Sequence, residues 1–145
     1  MNFSIQQLIN EKLTRVEDKK EIKSWHASRL GSCLTGLYLE RLGVKPNEEF
    51  DERTLRVFSA GKLFEEWIVS LVKDKVKIET QVRIELPEYN LTGYADMVVY
   101  NDSKIVYEIK SKNSRAFWYM KDKGEGANRQ HEYQLWCYLK ALNIE

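Results

Sequence analysis

Two apolar runs between Gly93 and Lys112 are interrupted by charged residues whose types and spacing could do chemistry. Asp96 lies in the first run, and Glu108 and Lys110 lie in the second, after a turn at 101–103. If the runs form an antiparallel hairpin, Asp96 falls within about one residue of lying opposite the other two. Burying charge beside apolar neighbours is costly unless something compensates for it. The three side chains can therefore meet, and their charge needs an explanation.

Two explanations fit this pattern. One is a cross-strand ion pair of Asp96 or Glu108 with Lys110 on an exposed sheet edge. The other is a divalent metal bound by the two carboxylates and by the peptide carbonyl of Ile109. Magnesium suits such a site because it takes a few carboxylates and keeps several waters. Lys110 would then orient an acidified water for attack on a phosphate, so that the site hydrolyses a phosphodiester.

The apolar spacing of four segments predicts the helices that surround this hairpin. The first segment has a capping-box start at Ser4 and Gln7, and the third has Phe64 at the centre of its apolar stripe. The second is expected to stop at Gly43, since Pro46 follows shortly after it. The predicted helices span residues 5–19, 28–43, 51–73 and 128–142.

Between the third and fourth helices the apolar period changes from about 3.6 to 2. Apolar residues sit at even-numbered positions from Val76 to Leu86, which predicts a half-buried strand or a bent pair of short ones. A turn at 87–90 leads into the hairpin, whose strands are expected at 91–100 and 104–110. This order predicts an α+β fold, an α/β sandwich in which helices flank a small mixed sheet that carries the hairpin.

Length and composition limit what the whole chain can be. With 145 residues, of which 43% are hydrophobic and 31% charged, we expect a single globular domain over residues 1–145. Residues 1–50 would form N-terminal helices and residues 51–145 the core. The first residues lack the pattern of a signal peptide and no apolar run approaches a membrane span, so we expect a cytoplasmic protein without membrane contact. Cys33 and Cys137 are expected to be small buried residues.

Charge is unevenly distributed along a chain whose formal net charge is only +1. Residues 104 to 130 contain seven basic and three acidic side chains. This surplus of positive charge could bind the phosphates of a nucleic acid. A solvated basic face is the commoner meaning of a surplus this small. In the same segment Phe117, Trp118 and Tyr119 could stack on unpaired bases or belong to the core.

Four features of the chain resemble one superfamily of enzymes. Asp96, followed twelve residues later by Glu108-Ile109-Lys110, resembles the D-x(n)-E-x-K signature of the PD-(D/E)XK nucleases. The other three features resemble the RecB-like exonuclease branch of that superfamily, which includes CRISPR-associated and phage exonucleases. They are Ser28 with Cys33 before a helix, Gly61 four residues ahead of Glu65, and Gln134 with Tyr138 in a Q-x-x-x-Y pattern.

The resemblance implies a fold, a metal and a set of roles. The fold would be a restriction-endonuclease-like core, formed by residues 51–145. Lys110 would position the attacking water, in a mechanism that needs one or two Mg²⁺ or Mn²⁺ ions. The metal ligands implied are Glu65, Asp96, Glu108 and the carbonyl of Ile109.

The resemblance also implies contacts with DNA. Gln134 would steady the Lys110 region or a DNA phosphate. Tyr138 would line the path of the DNA strand, with plain core packing as the alternative. Basic side chains after the hairpin would contact backbone phosphates, which carry affinity without sequence preference. These basic residues are Lys112, Arg115, Lys121, Lys123 and Arg129.

Two departures from the branch affect this set of residues. Histidine often stands where this chain has Glu65, so the metal shell would be all oxygen. Helical angles favour Glu65 over Glu66, which is expected to point away, and a solvated acid is the alternative for Glu65. Members with an iron–sulfur cluster have three further cysteines after the Q-x-x-x-Y helix, and this sequence has none there. No intrachain four-cysteine cluster is therefore expected.

The expected function is a Mg²⁺- or Mn²⁺-dependent deoxyribonuclease, in first place an exonuclease of recombination, repair or phage DNA processing. A structure-selective endonuclease has the same core site. A DNA-binding module or subunit could also keep the fold without the chemistry. Because the branch usually continues past the Q-x-x-x-Y helix, this chain would be a minimal version, a fragment, or a subunit in a homo-oligomer or with a partner.

Overall fold

The computed structural model describes residues 4–13, 23–44, 50–124, 126 and 128–144. This part of the chain has the predicted α+β fold, with helices around a small mixed sheet. None of the described helices is long and apolar enough to cross a membrane. The helices are α1 (Ile5–Leu13), α2 (Leu34–Arg41), α3 (Glu52–Val72), α4 (Ser114–Lys123) and α5 (Arg129–Leu142). The strands are β1 (Trp25–His26), β2 (Lys77–Leu86), β3 (Leu91–Tyr100) and β4 (Lys104–Tyr107).

Strand β3 is the centre of the sheet. Strand β2 pairs with it antiparallel from Leu86 opposite Leu91 to Lys77 opposite Tyr100, with one interruption at Gln81. The other edge of β3 is shared by two short strands, because β1 runs parallel to its first residues and β4 runs antiparallel to its last four. The positions between these two partners end at Asp96 and have no described strand beside them on that edge. Other parts of the chain can therefore contact Asp96 on that edge of the sheet.

The core lies between the sheet and α5. Apolar residues of β2 and β3 are buried there together with Cys137 and Tyr138 of α5. Gly93 makes the close approach possible, because a β-carbon at this position would lie 3.0 Å from Cβ of Ala27 and 3.1 Å from Cε1 of Tyr138. Interiors packed this closely leave little room for movement. Helix α5 is thus fixed against the centre of the sheet.

Side-chain caps set the starts of three helices. The side chains of Asp51, Asn113 and Asn128 accept hydrogen bonds from backbone N–H groups in the first turns of α3, α4 and α5. Such caps satisfy donors that the helix itself leaves unpaired. The helices predicted over 51–73 and 128–142 are confirmed within two residues at each end.

The structure corrects several predicted elements. The helix expected from residue 28 begins only at Leu34, because a 3-10 helix at Ala27–Arg29 is followed by Gly31, whose φ of +81° turns the chain. The strand expected to reach residue 110 ends at Tyr107. The helix expected over 5–19 is described as Ile5–Leu13, and the rest of it lies outside the described residues. Neither β1 nor α4 is among the predicted elements.

The centre of the apolar stripe of α3 is exposed among the described residues. On α3, Phe64 is 54% exposed and Trp67 is 57% exposed. Cys33, at the start of α2, is exposed and so contradicts the expectation that it is buried, whereas Cys137 is buried as predicted. An apolar stripe therefore predicted a helix correctly in α3 without predicting what the stripe contacts.

Candidate functional site

The end of the hairpin places Asp96 and Glu108 next to each other. Strand β4 ends at Tyr107, which pairs with Met97, so the following position of the same register puts Glu108 opposite Asp96. Beyond β4 the chain is held by the side chain of Asp96, whose Oδ2 accepts a hydrogen bond of 2.7 Å from the backbone N–H of Ile109. A carboxylate thus takes the place of a strand partner. The Asp96 and Glu108 carboxylates are neighbours as a result.

Glu108 is a buried carboxylate with one paired and one unpaired oxygen. Its Oε1 accepts hydrogen bonds from Nζ of Lys110 and, at 2.7 Å, from Nε2 of Gln134. Its Oε2 is inaccessible to solvent and has no hydrogen-bond partner among the described residues. Burial raises the pKa of Glu108, and the charge of Asp96 also raises it, whereas Lys110 and Gln134 lower it. Buried polar atoms normally have a partner, so an oxygen like this one is a suitable ligand for an ion or a water.

Gln134 connects this carboxylate to the core. It lies on α5, is 4% exposed, and uses its amide nitrogen to donate to Glu108 and to the hydroxyl oxygen of Tyr138. Tyr138 is 1% exposed, and burial raises its pKa. Tyr138 therefore belongs to the core, which corrects the expectation that it lines the path of a DNA strand. Gln134 is too deeply buried to reach a DNA phosphate, and it steadies Glu108 instead.

Helix α3 brings a third carboxylate to the same region. Glu65 and Asp96 both line a cavity of 570 Å³ between α3 and the sheet. Gly61, one helical turn before Glu65, lets α3 lie close to the segment that follows the hairpin. A β-carbon at Gly61 would lie 3.2 Å from Oγ of Ser111. Burial raises the pKa of Glu65, and the charge of Asp96 raises it further. Asp96 thus interacts with Glu108 on one side and with Glu65 on the other.

Two residues of the cavity wall differ from the sequence expectation. Glu66, which helical angles directed away from the site, also lines the cavity, although it is exposed whereas Glu65 is half-buried. Gln81 of β2 lines the cavity too, and its side-chain amide donates a hydrogen bond to Oε1 of Glu65. Gln81 is not distinguished in the sequence, because it stands at an odd-numbered polar position of β2 like its neighbours Glu79 and Arg83.

The predicted phosphate-binding residues are on the surface. On α4, Phe117, Trp118 and Tyr119 are each more than half exposed, so the alternative that they belong to the core is wrong. The ammonium groups of two lysines lie over these rings, with Lys121 at 4.8 Å from the centroid of Trp118 and Lys123 at 4.6 Å from that of Tyr119. Helix α4 therefore exposes aromatic and cationic groups together. The exposed basic residues are Lys112, Arg115, Lys121, Lys123 and Arg129.

The oxygen groups at this site fit a hard divalent cation. Among residues 4–13, 23–44, 50–124, 126 and 128–144, no three His, Cys, Asp or Glu side chains are already arranged as a metal-binding cluster. However, the charge of Asp96 raises the pKa of both Glu65 and Glu108, and Oε2 of Glu108 is buried without a described partner. Carboxylate oxygens are the ligands that Mg²⁺ and Mn²⁺ prefer. A cation among them would offset their mutual repulsion, while the carbonyl of Ile109 stays a predicted ligand.

No protein-family model matches this sequence, and no curated protein matches it. Among solved structures, the chain is similar to the one described as the crystal structure of SSO0001, with a TM-score of 0.61 and 23% sequence identity. The similarity covers 99% of this chain and 69% of that chain. A likeness at this level of identity shows the fold alone. It supports the arrangement of the sheet and helices and is neutral on the chemistry.

Proposed function

We propose that the protein is a metal-dependent deoxyribonuclease of the PD-(D/E)XK superfamily, and an exonuclease of its RecB-like branch. The observation that carries the proposal is that Asp96, Glu108 and Lys110 meet at the end of the hairpin. Glu65 from α3 lines the same cavity as Asp96. Three carboxylates and a lysine in this arrangement are suited to hydrolysis of a phosphodiester.

A plain ion pair explains this arrangement less well. Glu108 and Lys110 do form an ion pair, but the Glu108 side chain is only 8% exposed, and a pair that served the surface of a sheet edge would be solvated. The pair also leaves Oε2 of Glu108 without a partner in the part of the chain that the structure describes, and it does not include Asp96. Burying an incompletely satisfied carboxylate next to a second one is costly. A cation ligand accounts for both features.

Each residue of the site has a distinct task in the proposed reaction. Mg²⁺ or Mn²⁺, bound by Glu65, Asp96 and Glu108, would supply Lewis-acid chemistry that acidifies a water and offsets charge on the phosphate. Gln134 and Lys110 both engage Oε1 of Glu108, which leaves Oε2 for the ion. Lys110 is 38% exposed, so its ammonium group can also reach a water or a phosphate oxygen at the mouth of the site.

The exposed groups that follow the hairpin support DNA as the substrate. Between residues 110 and 124 the chain has five basic side chains and one acidic one. Basic groups of this kind bind phosphates without sequence preference, and exposed aromatic rings such as Trp118 can stack on bases. We infer a cytoplasmic enzyme of recombination, repair or phage DNA processing, acting alone, as a homo-oligomer or with a partner subunit.

The test compares end-labelled linear DNA, single- and double-stranded, with closed circular DNA in the presence of Mg²⁺ or Mn²⁺. Lys110→Ala is the test variant, and Lys104→Ala, at the exposed start of β4, is the matched control. The proposal predicts metal-dependent loss of linear DNA with the wild type and with Lys104→Ala, and little loss with Lys110→Ala.

The other outcomes separate the alternatives. Cleavage of closed circles would make the protein an endonuclease with the same site. DNA binding without cleavage by the wild type, at any metal concentration, would contradict the enzyme and leave a DNA-binding module. Equal cleavage by Lys110→Ala and the wild type would contradict the role given to the lysine.

A further inference from the structure

Gln81 has a backbone conformation that its strand does not require. Its φ is +51°, in the left-handed region that residues with a β-carbon rarely adopt and that Asn tolerates better than Gln. On one side of it Thr80 pairs with Met97. On the other side Val82 pairs with Ala95, which is the same register. No residue is inserted into β2, so the conformation is not a bulge that shifts the pairing of the strands.

The other two non-glycine residues with positive φ among those described have local explanations. Asn90 and Asn143 are asparagines, and each follows the end of a helix, where a left-handed residue is common. Gln81 lies inside a strand and is not an asparagine. Strained conformations of this kind persist where the surroundings impose them, and they cluster at functional sites.

The position of Gln81 connects the strand to the candidate metal site. In the register of β2 and β3 it is opposite Asp96, at the one step between Lys77 and Leu86 where the pairing of the two strands is interrupted. Its side-chain amide donates to Oε1 of Glu65 on α3. Gln81, Glu65 and Asp96 all line the cavity of 570 Å³. The strained residue therefore contacts the Glu65 carboxylate and lies opposite the residue that carries the other one, Asp96.

We propose that Gln81 is a positioning residue for the metal site: its left-handed backbone directs its amide onto Glu65, so that this carboxylate is held toward Asp96 with its second oxygen left for a divalent cation. The inference rests on the proposed metal-dependent function.

The test uses Gln81→Asn in the full chain. Asparagine accepts positive φ more readily than glutamine, but its side chain is one methylene shorter and loses the reach to Glu65. Titration calorimetry with Mn²⁺ should show binding about 10-fold or more weaker than in the wild type, the range found when a group that orients a metal ligand is removed. The melting temperature in chelator should be unchanged or higher. DNA cleavage should fall at low Mn²⁺ and recover at saturating Mn²⁺.

A double substitution separates positioning from a general structural effect. In a Glu65→Ala background, Gln81→Asn should have no further effect on the Mn²⁺ affinity, because Gln81 acts through Glu65. An equal loss of affinity in both backgrounds would overturn the inference. If Gln81→Asn melts well below the wild type, Gln81→Gly serves in its place, since glycine adopts this φ without a β-carbon.

The remaining outcomes distinguish this inference from the proposed function. A wild-type chain that binds Mn²⁺ and cleaves DNA, with Gln81→Asn binding Mn²⁺ equally well, overturns only the inference about Gln81. A wild-type chain that neither binds Mn²⁺ nor cleaves DNA overturns both. Weaker Mn²⁺ binding by Gln81→Asn, with unchanged stability and no effect of the substitution in Glu65→Ala, supports the inference.

Discussion

The two outer carboxylates of the candidate site are held in different ways. Glu108 is fixed from the α5 side, where Gln134 and Tyr138 form a buried chain of hydrogen bonds that continues into the core. Glu65 is half-buried on α3, a helix whose apolar stripe is exposed, and its described side-chain hydrogen bond comes from Gln81. The Glu108 side of the site is therefore part of the core, whereas the Glu65 side is connected to the sheet through the hydrogen bond from Gln81. Substitutions on the α5 side should change stability, and substitutions on the α3 side should change metal binding.

Among these variants the largest effect on metal binding is expected at Glu65, and its neighbour Glu66 provides the comparison. Both line the cavity, but Glu65 is half-buried beside Asp96 whereas Glu66 is exposed. Glu65→Gln should weaken Mn²⁺ binding about tenfold or more, equivalent to about 1.4 kcal/mol, because it removes the carboxylate charge that is proposed to bind the ion. The melting temperature should stay close to that of the wild type. Glu66→Gln is the control, and an equal loss of affinity in both variants would contradict the assignment of Glu65.

The next effect is expected at Gly93, on the α5 side. Gly93→Ala should lower the free energy of unfolding by about 1–3 kcal/mol, because the added methyl overlaps Ala27 and Tyr138. Chemical denaturation measures the change. Gly36→Ala in α2 is the control, since its nearest neighbour would be 3.9 Å away and alanine favours a helix. Destabilisation by Gly36→Ala as large as that by Gly93→Ala would show that the packing of Gly93 has no special role.

Gln134 tests the buried chain of hydrogen bonds directly. Gln134→Met keeps the length of the side chain and removes both donors, which leaves Glu108 and Tyr138 with one partner fewer each. The cost to the free energy of unfolding should be about 1–3 kcal/mol. Gln6→Met on the exposed surface of α1 should change it by less than about 0.5 kcal/mol. Similar stabilities for the two variants would contradict the account of the α5 side.

The smallest effect is a pH dependence of stability that arises from Glu108. Burial raises its pKa above that of the unfolded chain, so the unfolded state loses the proton first as pH rises. In chelator, the Glu108 contribution to stability should therefore fall as pH rises from the ordinary glutamate pKa through the raised one. Glu108→Gln should melt with a weaker decline over this range. A stability that rises there by the same amount in both proteins would contradict the direction of the shift.

The sequence predicted the elements that repeat a simple pattern. The turn at 101–103 and the alternation along the hairpin were sufficient to place Asp96 within about one residue of Glu108 and Lys110, and the register of β3 and β4 puts Glu108 opposite it. Apolar stripes and capping residues such as Asp51 were sufficient for α3 and α5. Both kinds of signal are local, so they depend little on the rest of the fold.

The features that the sequence did not predict depend on contacts between distant residues. Strand β4 ends early because the N–H of Ile109 goes to the side chain of Asp96. Helix α4 has three consecutive aromatic residues, which do not form a stripe with helical spacing. The burial of Tyr138 depends on the absence of a β-carbon at Gly93. The conformation of Gln81 leaves the register of β2 unchanged, so no pattern of apolar residues reports it.

Asp96 lies between the two other carboxylates of the site and interacts with both, since its charge raises the pKa of Glu65 and that of Glu108. The most direct measurement is calorimetric titration of Mn²⁺ into the wild type and Asp96→Asn. Asparagine can still accept the hydrogen bond from the N–H of Ile109 while it removes the charge. The account predicts that the wild type binds Mn²⁺ and that Asp96→Asn binds it at least about tenfold more weakly, with no loss of stability in chelator. Equal binding by the two proteins, or no binding by the wild type, would contradict it.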